Sequence, residues 1–377
     1  MKVERIHMGK KRYLAYLTGL SALVFFILTA ACGGGGGAKT VNVSPQKGGH
    51  PDYIFYPALP NTPRYQYLTT FSSSSDIRKQ KSKFFKFVAG DEVEKPRPIK
   101  KAYGVEMCDG VIYVCDLRSH AVVTLDLKTK EFGYIGITGS AKLNRPVNLK
   151  IDKKNKIIYV ADMGRKQVLS FTTDGQRLMS YGKKDQFDPA DVDIHNGKLF
   201  VCDVKGNRIH VLDVKTGESL YKIGKSGSND GEFFHPSNIA VRNNRLYVSD
   251  STNFRIQIFD LGGNFIGKFG EIGELPGYFS RPKGIDVDRE GRIHVVDAAF
   301  ENVQVFDKKF NLLLYMFTPG NERHNINLPA GVTIDYDDVS YFKQYLSPDF
   351  KAEYLLFVTS NFGPNKVNVY AYGTYRR

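Results

Sequence analysis

The chain has 377 residues, with 22 Tyr, 26 Phe, no Trp and a formal net charge of +14. An excess of base on that scale points to acidic partners. The four cysteines include no Cys-x-x-Cys-His, which excludes covalent haem by the usual motif, and no His-Glu-x-x-His, Gly-x-Ser-x-Gly or metal-spaced cysteine pair occurs.

Residues 1–31 read as an export leader. Lys2, Arg5, Lys10, Lys11 and Arg12 form a basic start, and Leu17 to Ala30 is an apolar stretch too short to span a bilayer comfortably. It ends at Leu28-Thr-Ala-Ala-Cys32, which resembles the lipobox of bacterial lipoproteins. The resemblance implies cleavage before Cys32 and a diacylglyceryl group on its thiol. Several acyl chains on one residue anchor a protein stably. The leader holds five basic residues and one acid, so the chain from Cys32 onward carries +10. Residues 32–60 follow as a tether that opens with Gly33 to Gly37. About 20 such residues reach on the order of 25 Å. Gly33 after the anchor, in place of Asp, favours the outer membrane by analogy with lipoprotein sorting. Cys108, Cys115 and Cys202 are an odd set and are expected to be buried free thiols.

Residues 61–377 carry a repeat. Tyr113-Val-Cys-Asp116, Tyr159-Val-Ala-Asp162, Phe200-Val-Cys-Asp203, Tyr247-Val-Ser-Asp250, His294-Val-Val-Asp297 and Phe357-Val-Thr-Ser360 return at intervals of about 40–60 residues. Each phrase follows a start signal: Tyr103-Gly104, Pro146-Val-Asn148, Pro189-Ala-Asp191, Pro236-Ser-Asn238, Pro282-Lys-Gly284 or Pro329-Ala-Gly331. In 236–269, four short β-branched and aromatic runs are separated by Asn/Gly/Asp turns, which predicts a four-stranded antiparallel meander. One such sheet cannot bury both faces alone, and a ring of six can. The predicted fold is all-β, a six-bladed β-propeller. The last repeat runs out before a fourth strand. The run Arg64-Tyr-Gln-Tyr-Leu-Thr-Thr-Phe71 is expected to complete blade six and remove the open edge, with Phe84–Val88 as the competing strand. The repeated Asp, at a strand end before a turn, is expected to accept backbone N–H bonds.

The blocks Phe234-His-Pro-Ser-Asn-Ile-Ala-Val241, Leu246-Tyr-Val-Ser-Asp250 and Asn253-Phe-Arg-Ile-Gln-Ile-Phe-Asp260 resemble the NHL repeat, as do Arg281-Pro-Lys-Gly-Ile-Asp-Val-Asp288 and Val303-Gln-Val-Phe-Asp307. The resemblance covers about residues 100 to 375 and extends to bacterial NHL-type propeller lipoproteins at Tyr56–Leu68 and Asn361–Tyr370. It implies a binding platform and no single activity.

Three functions follow as expectations. The first is a non-enzymatic binding or scaffolding lipoprotein of the bacterial cell envelope, with another envelope protein as partner and the membrane held through the lipid. Its contact surface is a basic face built from turns after the repeated phrase: Arg118, Arg165, Lys166, Lys205, Arg208 and Arg255. The position of Arg208 and Arg255 also suits an arginine packed between blades. The insertion from about Tyr336 to Ala352 would offer aromatics on the opposite face. The second is a channel-sited metal-dependent lyase or lactonase. Asn148, Asp191 and Asn238 replace Gly at one repeat position beside the channel and would hold a divalent cation. The competing explanation is that Gly, Asn and Asp share tolerance for left-handed backbone. The third is binding of anionic glycan or lipopolysaccharide. An exported protein does not meet nucleic acid. Asp286-Val-Asp-Arg-Glu-Gly291 imitates a calcium loop, but on a hairpin and not between helices, so calcium is not expected there.

Overall fold

A computed structural model describes residues 53–78, 95–183 and 186–376. The leader, Cys32, most of the tether and Phe84–Val88 lie outside the described residues.

Six antiparallel sheets are arranged as blades. Blade one spans 102–135, blade two 146–181, blade three 189–223, blade four 236–269 and blade five 282–316, each with four strands in sequential order. Blade six takes Pro329–Asp335, Phe350–Ser360 and Val367–Tyr375 from the end of the chain. Its fourth strand is Tyr65–Phe71, which pairs antiparallel with Val367–Tyr375, so the predicted closure is present. A short fifth strand, Ile54–Tyr56, continues the sheet outward, an addition not anticipated from the sequence. Among the described residues, the strands of the ring lie at or after Ile54.

Apolar residues on alternate positions of each strand pack between neighbouring blades. Cys108, Cys115 and Cys202 are buried free thiols, as expected. The repeated carboxylates also behave as predicted. Asp162 accepts from the backbone N–H of Asn144, Arg145, Gly164 and Arg165, and Asp297 from Ser280, Arg281, Ala299 and Phe300. Each ties its own turn to the connection that enters its blade. In blade six, Ser360 Oγ accepts from the Asn327 N–H at 3.1 Å.

This order of strands divides the molecule into two faces. Turns between second and third strands share one face with the blade-to-blade connections, here called the connection face. The remaining hairpins form the hairpin face.

Candidate functional site: the channel and the connection face

The innermost strands line the central channel, and alternation aims every second residue into it. The first layer is Gly104, Asn148, Asp191, Asn238, Gly284 and Gly331. The second is Glu106, Lys150, Asp193, Ala240, Asp286 and Thr333. Apart from Gly104 and Gly331, they line a cavity of about 30 Å³, room for a water or an ion.

The second layer is a circumferential polar network, and sequence reasoning missed it. Lys150 pairs with Glu106 between blades two and one. Arg242 bridges Asp193 of blade three and Asp286 of blade five, each at 2.9 Å. Asp286 accepts from the Ile334 N–H at 2.9 Å, and Thr333 donates to Glu106 at 3.0 Å. Asp193 accepts from the Val241 N–H at 2.8 Å. Burial pushes the Glu106 carboxyl up, while the cations Arg242 and Lys150 overcome the burial of Asp286 and hold it low. The available signal was a charged residue two places after the Gly/Asn/Asp position, inside an otherwise apolar run. Asp286 thereby leaves the calcium look-alike. Asp288, its neighbour there, accepts from Glu290 N–H and from Arg292 Nε.

In the first layer, Asn148, Asp191 and Asn238 come together on consecutive blades around the same cavity. Asn238 Nδ2 donates to Asp191 Oδ2 at 3.2 Å, and the Ile239 N–H donates to the same oxygen at 2.9 Å. Burial pushes Asp191 up to about 8. Buried Asn238 Oδ1 has no partner among the described residues. One carboxylate and two amide oxygens form a hard-oxygen set that suits a small cation. The backbone explanation for this position needs correcting. None of the six residues has a positive φ. Each innermost strand carries a register shift here, at Pro146/Asn148 and its counterparts. Asn148 and Asp191 fold back to accept the next backbone N–H at 3.0 and 2.7 Å. Glycine serves close approach instead, since a Cβ on Gly331 would lie 2.5 Å from the Tyr103 carbonyl oxygen.

On the hairpin face the channel opens into a basin of about 510 Å³, whose lining includes Lys153, His195, Lys215, Arg289 and Tyr336. Arg289 lies over the Tyr336 ring at 3.9 Å. Lys153 is held by Asp335 and Asp337.

The predicted basic residues divide. Arg255 is buried: its Nε binds Asp250 at 2.9 Å and its NH2 the Asn229 and Glu232 carbonyls, so it is an internal fastener and not a contact residue. Arg208 turns back to the Gly206 carbonyl at 2.8 Å. Arg165 caps Lys142 O at 2.7 Å, and Lys205 lies 3.6 Å from Asp188. Arg118 is exposed. Around them the connections add Lys100, Lys101, Lys142, Arg145, Lys183 and Lys366. Among the described residues, the connection-face acids in this sector of blades six, one, two and three are Asp188, Asp76 in the connection from blade six to blade one, exposed Glu322 in the connection into blade six, and the buried repeat carboxylates. The connection from blade four to blade five instead exposes Glu271 and Glu274.

The blade-six insertion buries part of its aromatic set, while Tyr336 lines the basin and Tyr341 and Tyr345 are half-buried. Phe342 is fully buried against Phe71 and Phe357. The 3-10 segment Val339–Tyr345 clamps the closing strand, with Gln66 donating to the Tyr345 carbonyl at 2.8 Å and accepting from Ser347 N–H at 3.0 Å. Phe342 is consumed by packing because blade six must hold two distant chain segments together.

Residues 233–369, covering blades four to six, match a family model described as a 6-bladed beta-propeller. No curated protein matches the chain. Among solved structures, a structural-genomics protein of unknown function from Bacteroides thetaiotaomicron is similar at 14% identity and a TM-score of 0.56, over 81% of this chain and 75% of that one. Virginiamycin B lyase from Staphylococcus aureus is similar at 15% identity and a TM-score of 0.50, over 72% and 81%. A streptogramin B lyase stands at 14% and 0.50, over 73% and 84%. At such identities the likeness is one of fold. The chain is a six-bladed β-propeller of four-stranded antiparallel blades, extended by one strand where it closes.

Proposed function

We propose that this propeller is a non-enzymatic binding and scaffolding module of the bacterial cell envelope, exported and held by a lipid on Cys32. Its contact surface is the basic sector of the connection face, which meets an anionic partner. The observation that supports this most is the excess of cations on that face. Among the described residues of blades six, one, two and three, Lys100, Lys101, Arg118, Lys142, Arg145, Lys183 and Lys366 outnumber the acids there that are not buried, Asp76, Asp188 and Glu322.

The lyase or lactonase reading is weaker for a reason of volume. Asn148, Asp191 and Asn238 face a cavity of about 30 Å³ backed by the protein's own ion pairs. That space takes an ion at the three oxygens and leaves no room for an organic substrate.

The test is a crosslinked, detergent-solubilised pull-down of the native chain, with Cys32→Ser as control, read by mass spectrometry. A stoichiometric envelope component lost when Lys101, Arg118 and Lys366 are reversed to Glu supports the reading. Capture that ignores those substitutions, or turnover of a lactone dependent on Asp191, contradicts it.

A further inference from the structure

We infer that the first layer of the channel holds a hard divalent cation, calcium or magnesium, as a structural part of the ring, with Asp191 and Asn238 as its central ligands and Asn148 as the third. The inference goes beyond the contact surface proposed above and does not rest on it.

The first argument is the charge of the cavity wall. Glu106, Asp191, Asp193 and Asp286 bring four carboxylates to it, and Lys150 and Arg242 bring two cations. Lys150 is committed to Glu106, and Arg242 is shared between Asp193 and Asp286. Lys283, on the innermost strand of blade five, is engaged by Tyr103 Oη at 2.8 Å and does not line the cavity. The wall therefore holds two carboxylates more than its own cations. A buried charge without a counterion is costly. One divalent cation brings the wall to neutrality, and a monovalent ion leaves it one charge short.

The second argument is the state of the atoms that face the cavity. Asp191 Oδ1 accepts from the Val192 N–H at 2.7 Å, and Oδ2 from the Ile239 N–H at 2.9 Å and Asn238 Nδ2 at 3.2 Å. All three partners are neutral donors, so a carboxyl proton on Asp191 would find no acceptor among them, and the ionised form fits. Asn238 is 2% exposed, and by giving Nδ2 to Asp191 it leaves Oδ1 buried without a partner among the described residues. Such an orphan oxygen is costly and calls for an electrophile. It lies beside the carboxylate that lacks a cation, on the same cavity, and one ion satisfies both. Asn148 Oδ1 accepts the Leu149 N–H at 3.0 Å and keeps a second lone pair.

The third argument is a gap in the circumferential network. Its polar links join blade one to two, three to four, four to five, five to six and six to one, through Glu106, Lys150, Asp193, Arg242, Asp286 and Thr333. None of these links joins blade two to blade three. Asn148 of blade two and Asp191 of blade three stand at that gap, and an ion between them closes the circle. The ligands are all oxygens, and no cysteine or histidine lines the cavity, which suits calcium or magnesium and not zinc or copper.

The experiment uses the full chain in detergent, dialysed extensively against metal-free buffer. Metal content is read by plasma mass spectrometry and stability by thermal melting. The expected result is about one calcium or magnesium ion per chain. A strong chelator should lower the melting midpoint, and calcium or magnesium should restore it where potassium at equal ionic strength does not. Asp191→Asn should retain less than about one tenth of the parent's metal and lose the response to chelator. Asn238→Asp puts a carboxylate where the orphan oxygen stands. It should widen the difference between midpoints with and without the ion, which keeps the test decisive if Asp191→Asn does not fold by circular dichroism. No retained metal together with a midpoint indifferent to calcium and magnesium overturns the inference and leaves water in the channel. Metal retained in full by folded Asp191→Asn, an unchanged difference in Asn238→Asp, or zinc, copper or sodium in place of calcium and magnesium also overturns it.

Discussion

Blade four and blade six share one strand order and are fastened differently. In blade four the repeat carboxylate does the work locally. Asp250 accepts from Phe234 N–H, Asn253 Nδ2, Arg255 Nε and Gln257 Nε2, and Arg255 and Gln257 reach back to the carbonyls of Asn229 and Glu232. In blade six that carboxylate is a serine, and the preceding connection is held from the third strand. Asn365 and Asn368 donate to the Asn325 carbonyl, and Tyr370 donates to the His324 carbonyl at 2.9 Å. The insertion then pins the N-terminal strand from outside. A regular blade is one chain segment and needs only its turns tied. The closing blade joins segments almost 300 residues apart, so ordering the two segments against each other costs more entropy and is offset by extra packing.

That contrast can be broken in order of expected effect. Removing Asp250 leaves Arg255 buried and unpaired. Asp250→Ala should therefore cost about 3–5 kcal/mol in denaturant unfolding. Phe342→Ala should cost a similar amount, about 3–5 kcal/mol, by emptying the clamp on the closing strand. Phe265→Ala, on the outer strand of blade four, should cost only about 0.5 kcal/mol. If Phe342→Ala is equally mild, the insertion is not the clamp.

A third test uses pH at the seam between blades five and six. His294 Nε2 lies 2.6 Å from Tyr65 Oη and 3.3 Å from Tyr354 Oη, and burial lowers the ring to about 4. The unfolded chain takes up that proton near pH 6.5 and the folded chain only near 4. Stability is thus full above 6.5 and is lost as pH falls toward 4, by roughly 3 kcal/mol. Unfolding midpoints across pH 4–7 should show this slope, and His294→Gln should flatten it. A small effect belongs to Ser360→Ala, about 1 kcal/mol, because it removes one neutral hydrogen bond where Asp250→Ala removes a hub.

The legibility of the sequence follows the same divide. Repetition exposed the blades, the structural carboxylates and the closing run at Tyr65–Phe71, since each is a pattern seen several times. What occurs once stayed hidden. Ile54–Tyr56 has three residues and no repeat partner. The buried fate of Phe342 depends on Phe71, which is remote in sequence. The channel network joins Glu106, Lys150, Asp193, Arg242 and Asp286 from five blades, and only ring closure makes them neighbours. Arg255 was open to reading as surface or as packed between blades, because its partners, Asn229 and Glu232, lie in the connection before its blade. The Asn/Asp/Gly alternation was visible, but its cause was a bulge and close strand approach, which composition does not distinguish from a left-handed turn.

The central claim is that contact occurs through the connection face. A photoactivatable residue placed at Ile137, on that face, and separately at Lys154, on the hairpin face, tests it in intact cells. The account predicts envelope adducts from position 137 and none above background from 154. Adducts confined to position 154 would contradict it and move the functional surface to the basin at the channel mouth.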